Sequence, residues 1–373
     1  MTIYLSTLIP GLGQLLLKAY RRAFTFFILL LVHLGIGAGA LYQGKLAWLQ
    51  TRETVYIFPS VLLYLFLAAI WVWSFKDLWE RKLRGESGDS RTEGVGYWDL
   101  VKRKFFRDKK GMIGSLFLLI IIYTALFAPF LSPMDPLKMN LLSTLKEPSL
   151  RHPFGTDNFG RDILARVIYG SRVAIGIGAG AMLINMIWGG FLGLLGGFYK
   201  GITDSIIMRV LEITNVIPYL VLVILIMALF KASGVLPLIL ILGIFGLYPA
   251  RIIRSEVLSV REEDYVMASR SLGASDMRII FRHILPNSMA SLLVTSTMRI
   301  GSNIITVAGL SFLGFGVNPP TPSWGRSLQQ AQDYMRGATW MAIFPGLAIV
   351  LTVFAFNIFG DSLRDVLDPK LKD

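Results

Sequence analysis

Few residues in this chain have the type and spacing that chemistry requires. The three histidines, His33, His152 and His283, lie too far apart to give a metal-ligand spacing, and zero cysteines remove disulfides, thiolate zinc, iron–sulfur ligation and cysteine catalysis together. Gly309-Leu-Ser311-Phe-Leu-Gly314 is one residue too long for a nucleophile elbow, and no base pairs with its serine. A phosphate-binding Gly-x-x-x-x-Gly-Lys-Ser/Thr loop is missing too: the lysine of Gly193 to Lys200 is neither preceded by glycine nor followed by Ser or Thr. No catalytic residue and no metal ligand is assigned. What remains is ionisable side chains inside apolar runs, where charge is costly and marks function by default. Arg209 and Glu212, three apart near one end of their run, are served by a local ion pair or by snorkelling. Arg299 stands near the middle of another run with Thr295 and Asn303 on the same face. That face is predicted to look into the helix bundle and not into lipid. His33 reads as a hydrogen-bonded packing residue and not a proton relay.

The elements that carry these residues are membrane spans. Of 373 residues 54% are hydrophobic, and the 36 glycines raise the apolar share to about 64%, well above a soluble domain, while only 16% are charged. Mean hydropathy is +0.59. A soluble enzyme is excluded. The net charge of +13 belongs with cytoplasmic loops and anionic headgroups, and nucleic acid is not implied.

A span needs about 20 apolar residues. Eight runs qualify: Ala23 to Tyr42, Val55 to Phe75, Met112 to Leu131, Val173 to Phe198, Ile206 to Phe230, Val235 to Ile253, Ser288 to Ala308 and Met341 to Phe359. A ninth, Thr2 to Leu17, is interrupted by Pro10, Gly11 and Gly13, and spanning, re-entrant and interfacial placements all stay open for it. No cation precedes Lys18, so this run is not a secretory signal. The basic stretch Lys76 to Lys110 is cytoplasmic by the positive-inside rule. Alternation then places Ser132 to Arg172 outside and the C-terminal tail inside. Glycine and serine between Gly85 and Gly96 make that stretch a flexible joint, followed by a short interfacial helix around Trp98 to Phe106. The domain reading is accessory transmembrane helices over 1–75, a basic linker over 76–110 and a core over 111–373. Gly176 and Gly180, then Gly189, Gly193 and Gly197, form small-x-x-x-small ladders suited to close helix packing.

Between the runs ending near Ile253 and starting at Ser288 lies the most informative segment, about 262–285. Val266, Ser269 and Leu272 recur at helical spacing, and Gly273 suits the left-handed conformation that closes a helix. Ser275 and Asp276 are placed to cap a second helix that Pro286 stops. The string Tyr265-Val-Met267-Ala268-Ser269-Arg-Ser-Leu-Gly273-Ala274-Ser275 with Ile-Ile-Phe-Arg-His283-Ile-Leu-Pro-Asn resembles the coupling-helix motif of ABC importer permeases, in its dipeptide and oligopeptide form. The generic family pattern has Glu-Ala-Ala where this chain has Met267, Ala268 and Ser269, and His283 where it has isoleucine. Three further blocks are similar to the C-type subunit of peptide importers: His152 to Asp162, Leu310 to Gly325 and Gly360 to Pro369. The resemblance covers about Tyr97 to Asp373, and residues 1 to about 90 lie outside it.

The resemblance implies an all-α integral membrane protein with a six-helix type I importer permease core, preceded by two or three accessory helices. It implies a homologous second permease subunit, two cytoplasmic ATPase subunits that receive the coupling helices, an extracytoplasmic substrate-binding protein and surrounding lipid. ATP and Mg would be bound by the ATPase subunits and no cofactor by this chain. The coupling residues it points to are Tyr265, Met267, Ala268, Ser269, Gly273, Ala274 and Ser275, and in such a permease Arg299, Asn303 and Thr295 would face the translocation path as substrate contacts or form a structural pair with a partner subunit. Dipeptides or oligopeptides are the substrate class implied, with nickel complexes and oligosaccharides carried by the same branch. A secondary transporter would instead show inverted repeats with paired broken helices, and no such pairing is visible.

Overall fold

In the computed structural model residues 101, 104–105, 107–132 and 134–367 are described, all of the regular structure being helical apart from one isolated bridge between Thr156 and Asp162. The accessory runs, most of the basic linker and the last six residues lie outside the described residues. The chain divides into two compact units, Met1–Asp135 and Pro136–Asp373.

In the first unit, α1 (Lys109–Leu126) starts where the Asp108 carboxylate accepts from the backbone N–H groups of Lys110 and Gly111, both at 3.0 Å. The helix breaks at Phe127, and α2 (Ala128–Leu131) is a single turn.

The second unit is a helix bundle built on one long rod. α3 (Ile163–Ile184) passes through a π-turn (Asn185–Gly189) into α4 (Gly190–Tyr199), 37 residues in all and about 55 Å long. It begins ten residues earlier than the hydrophobic run at Val173, because Asp162 Oδ1 caps the Ala165 N–H at 2.7 Å and Arg166 and Arg172 lie within the helix. The loop expected to reach Arg172 therefore ends at Asp162. α5 (Gly201–Val216) and α6 (Tyr219–Leu229) replace the straight span expected over Ile206 to Phe230, with an 88° bend between them. Pro218 explains the break: it pushes Ile217 out of the helical region, to φ −86° and ψ 128°.

α7 (Val235–Phe245) and α8 (Tyr248–Val260) follow, then α9 (Asp264–Ser271) and the single turn α10 (Asp276–Ile279). A π-turn (Ile280–Ile284) joins α10 to α11 (Leu285–Phe312), so Pro286 does not stop the second helix. It falls in the first turn of α11, where a missing N–H is tolerated and the wider π register takes up its ring. α12 (Trp324–Ala331) and α13 (Trp340–Leu367) complete the bundle.

Among the described residues four helices are long and apolar enough to cross a membrane, and a fifth span is made if the bent pair counts as one. The 28-residue α11 is long enough but more polar, and Ser288, Ser296, Asn303 and Ser311 on it are buried inside the protein. Glycines make a close seam between α4 and α8. An added Cβ at Gly197 would meet Val257 at 2.8 Å and one at Gly193 would meet Ile253 at 3.0 Å, so α4 lies almost backbone to backbone on α8. Gly180 lies against Ile239 of α7, whereas Gly176 has open space.

Candidate functional sites at the two ends of the bundle

The α3–α4 rod carries one of the sequence blocks at each end. At its C-terminal end, α9 and α10 form the helix–turn–helix expected over 262–285. Gly273 has φ +81°, the Leu272 N–H reaches Ala268 O and the Ala274 N–H reaches Ser269 O, so the helix closes through a left-handed glycine. The unit is anchored from behind: Val266, Ile279, Ile280 and Ile284 are buried with Leu194, Phe198, Ile253 and Val257. Leu272 was expected on this apolar face but is 88% exposed, together with Met277 at 62% and Phe281 at 59%.

Of the proposed coupling residues, Met267 and Ala268 are exposed, and Tyr265 is exposed with its hydroxyl accepting from Asn287 Nδ2 at 3.2 Å. Partial desolvation, with a smaller contribution from the Glu263 charge, pushes the Tyr265 hydroxyl above its ordinary range. Ser269 Oγ lies 3.3 Å from His283 Nε2, which gives the histidine at the family's isoleucine position a local partner. Ala274 is half-buried, and Ser275 begins α10 without a side-chain cap.

Sequence reasoning missed how this segment is tied to the rod. Phe198, 3% exposed, carries the Arg261 guanidinium 5.9 Å and the Arg270 guanidinium 5.7 Å from its ring centroid, and Arg261 also donates to the Phe198 carbonyl. Lys200 Nζ donates to Glu262 Oε1 at 2.7 Å, and this bond holds the Glu262 carboxyl below its ordinary range. One signal was legible: an aromatic-aromatic-lysine-glycine string ending an apolar run, which here places Lys200 and Gly201 at φ 54° and 57°.

At the opposite end the block from His152 to Asp162 folds onto the start of α3. His152 Nδ1 and Asp162 Oδ2 are 3.0 Å apart, Arg161 Nε donates to Asp157 Oδ2 at 2.6 Å, and Trp340 Nε1 donates to Thr156 O at 3.2 Å. Phe154 stacks on Phe344 with centroids 3.9 Å apart. Asp157, Arg161, Asp162 and Arg166 are all buried. Trp324, from the Leu310 to Gly325 block, donates to Val167 O at 2.8 Å, so two of the blocks meet on α3.

Between the two ends, Arg299 is half-buried with its guanidinium 4.3 Å from the Tyr248 ring centroid, and Asn303 donates to Gly178 O at 3.4 Å. Thr295 is half-buried. Arg209 and Glu212 form an exposed ion pair at 2.9 Å. Among the described residues no three His, Asp or Glu side chains gather into a metal site.

The described residues make a multi-pass helical membrane protein with a buttressed helix–turn–helix at one end and a hydrogen-bonded polar loop at the other. Residues 189–373 match the family described as binding-protein-dependent transport system inner membrane component, and residues 96–148 match the N-terminal transmembrane domain of oligopeptide transport permease C. The chain is 43% identical over 284 residues to the glutathione transport system permease protein GsiD of Pectobacterium atrosepticum, covering 76% of this chain and 93% of that one. It is 39% identical to the dipeptide transport system permease protein DppC of Alkalihalophilus pseudofirmus, covering 74% and 91%. A chain of the inward-facing MetNI methionine ABC transporter is similar at 17% identity with a TM-score of 0.43, covering 55% of this chain and 98% of that chain. The protein belongs to the binding-protein-dependent inner membrane permeases. It is a transport subunit and not an enzyme, and members of this family work with ATPase and substrate-binding proteins.

Proposed function

We propose that this chain is one of two homologous permease subunits lining the path of an ATP-driven importer of dipeptides or oligopeptides. The reading is carried by the helix–turn–helix at Asp264–Ile279, closed at Gly273 and presenting Met267, Leu272 and Met277 outward from a buried apolar anchor. An exposed apolar surface on a buttressed support suits insertion into a groove on another protein. Each of two cytoplasmic ATPase subunits would receive such a segment, this one and its counterpart on the second permease, and ATP and Mg would be held by the ATPases. Lys200, Arg261, Arg270, Arg278 and Arg282 lie in or beside the helix–turn–helix, which supports a cytoplasmic placement of it and of the C-terminus of α13. The 152–162 loop and the α11–α12 connection then lie outside, where a binding protein would deliver its peptide. Two peptide importers among the relatives, one for glutathione and one for dipeptides, support the substrate class.

The test is uptake of labelled dipeptide by vesicles containing the purified permease pair, ATPases and binding protein. Gly273→Val should leave the complex assembled and ATP hydrolysis running while uptake falls at least tenfold, because a β-branched residue resists φ +81°. Uptake that survives ATP depletion, or is unchanged in Gly273→Val, would overturn the reading.

A further inference from the structure

We propose that the outward face of α5 docks, helix against helix, on the equivalent helix of the second permease subunit. The inference rests on the paired-permease reading above. Among the described residues α5 is fastened to its own bundle by one fully buried side chain, Leu211, packed with Leu247 and Ala250. On the opposite side Ile202, Ile206, Arg209, Ile213 and Val216 follow one another at steps of four, three, four and three residues. That repeat keeps a stripe facing a second helix in left-handed packing. The four aliphatic members are 60% to 81% exposed, and so is the Arg209 side chain at 80%.

Lipid would accept the aliphatic members but not the middle of the stripe. Arg209 lies about 12 Å along α5 from Gly201, and its Nη1 donates to Glu212 Oε2 at 2.9 Å. That bond draws the guanidinium toward the next turn, away from the Gly201 end to which snorkelling would take it. An ion pair held inside an apolar stretch belongs against protein and not against acyl chains. α13 shows the contrast: its exposed Ile343, Leu347, Val350 and Phe354 have similar spacing and no charge among them, as suits lipid. The accessory runs of this chain, Ala23 to Tyr42 and Val55 to Phe75, contain no Asp, Glu, Lys or Arg to meet the pair. A homologous permease of the same topology has its counterpart of α5 parallel to this one, and a pseudo-twofold axis between them brings the same stripe of each together. One polar position in an apolar seam fixes register at some cost in stability, and Arg209, third of the five, fills that role.

The chain has no cysteine, so Ile206→Cys can carry a short benzophenone probe in the purified importer complex, with Val350→Cys as the comparison. Irradiation in the nucleotide-free and ATP-trapped states is followed by mass identification of whatever is joined to the peptide holding residue 206. The second permease subunit is expected there in at least one state, at about ten times or more its yield at residue 350. Capture of only lipid, an ATPase subunit, the binding protein or another part of this chain, or equal yields at the two positions, would overturn the seam and leave the importer reading standing. A chain that purifies with its ATPases but with no second permease would overturn both. Register is read separately from the amount of second permease recovered with a tagged chain. Arg209→Met should lower it several-fold and Arg209→Met with Glu212→Gln should restore it, whereas full recovery with Arg209→Met alone sinks the register role.

Discussion

Single positions in this bundle differ sharply in what they tolerate, and the difference follows from backbone geometry. Gly155 has φ +76°, and an added Cβ would sit 2.7 Å from both the Trp340 ring and Lys146 O. Gly176 is helical, and an added Cβ would meet nothing within 4 Å. Gly155→Ala should cost about 2–4 kcal/mol, from left-handed strain and overpacking together. Gly176→Ala should be neutral or stabilising by up to about 1 kcal/mol. Melting of the two variants in detergent checks this, and equal midpoints would count against it. The string around Gly155 was legible as a motif, but its sequence could not reveal that Thr156, Asp157 and Asp162 are spent on local bonds. Those partners come from Trp340, Arg161 and His152, and only folding brings the first of them near.

Helix seams set the next scale. The Gly189, Gly193 and Gly197 ladder was readable from spacing, because small residues four apart always share a helix face. Which helix fills the groove was not readable, since any apolar run offers similar side chains. It is α8, with Ala250, Ile253 and Val257 against the glycines. Gly197→Ala should destabilise by about 1–3 kcal/mol, and pairing it with Val257→Ala should recover part of that loss, giving a coupling of about 1–2 kcal/mol. Strict additivity in the double-mutant cycle would show that the two do not meet. The bend between α5 and α6 follows the same division. Hydropathy carries the run straight through Pro218, where the helix breaks, and the 88° angle is a property of packing.

Across the whole molecule, the α3–α4 rod links the polar loop at one end to the helix–turn–helix at the other. The joint is Phe198 with Arg261 and Arg270, backed by Lys200 and Glu262. Phe198→Leu keeps apolar volume but removes the ring face, so it should leave the complex assembled and hydrolysing ATP while peptide carried per ATP falls several-fold. An unchanged ratio of uptake to hydrolysis would show that the joint transmits nothing. The Lys200–Glu262 pair is exposed and contributes little, being screened by solvent. Because the folded Glu262 carboxyl titrates below its unfolded range, whatever the pair adds is present at neutral pH and disappears as pH falls through the folded value.

The sequence by itself determined that the chain lives in a bilayer, where the spans among the described residues fall to within about ten residues, and where Gly273 turns the chain between two helices. Hydropathy, charge bias and left-handed glycine are local properties, and each is written in consecutive residues. The tertiary structure decided what depends on distant partners: that α11 can carry Ser288, Ser296 and Asn303 because they are buried, and that Arg299 lies over Tyr248. It also decided that Arg161 and Arg166 converge on Asp157 at one end of the rod. Desolvated charge and close packing are relations between residues far apart in the chain, and no window along the sequence contains both members.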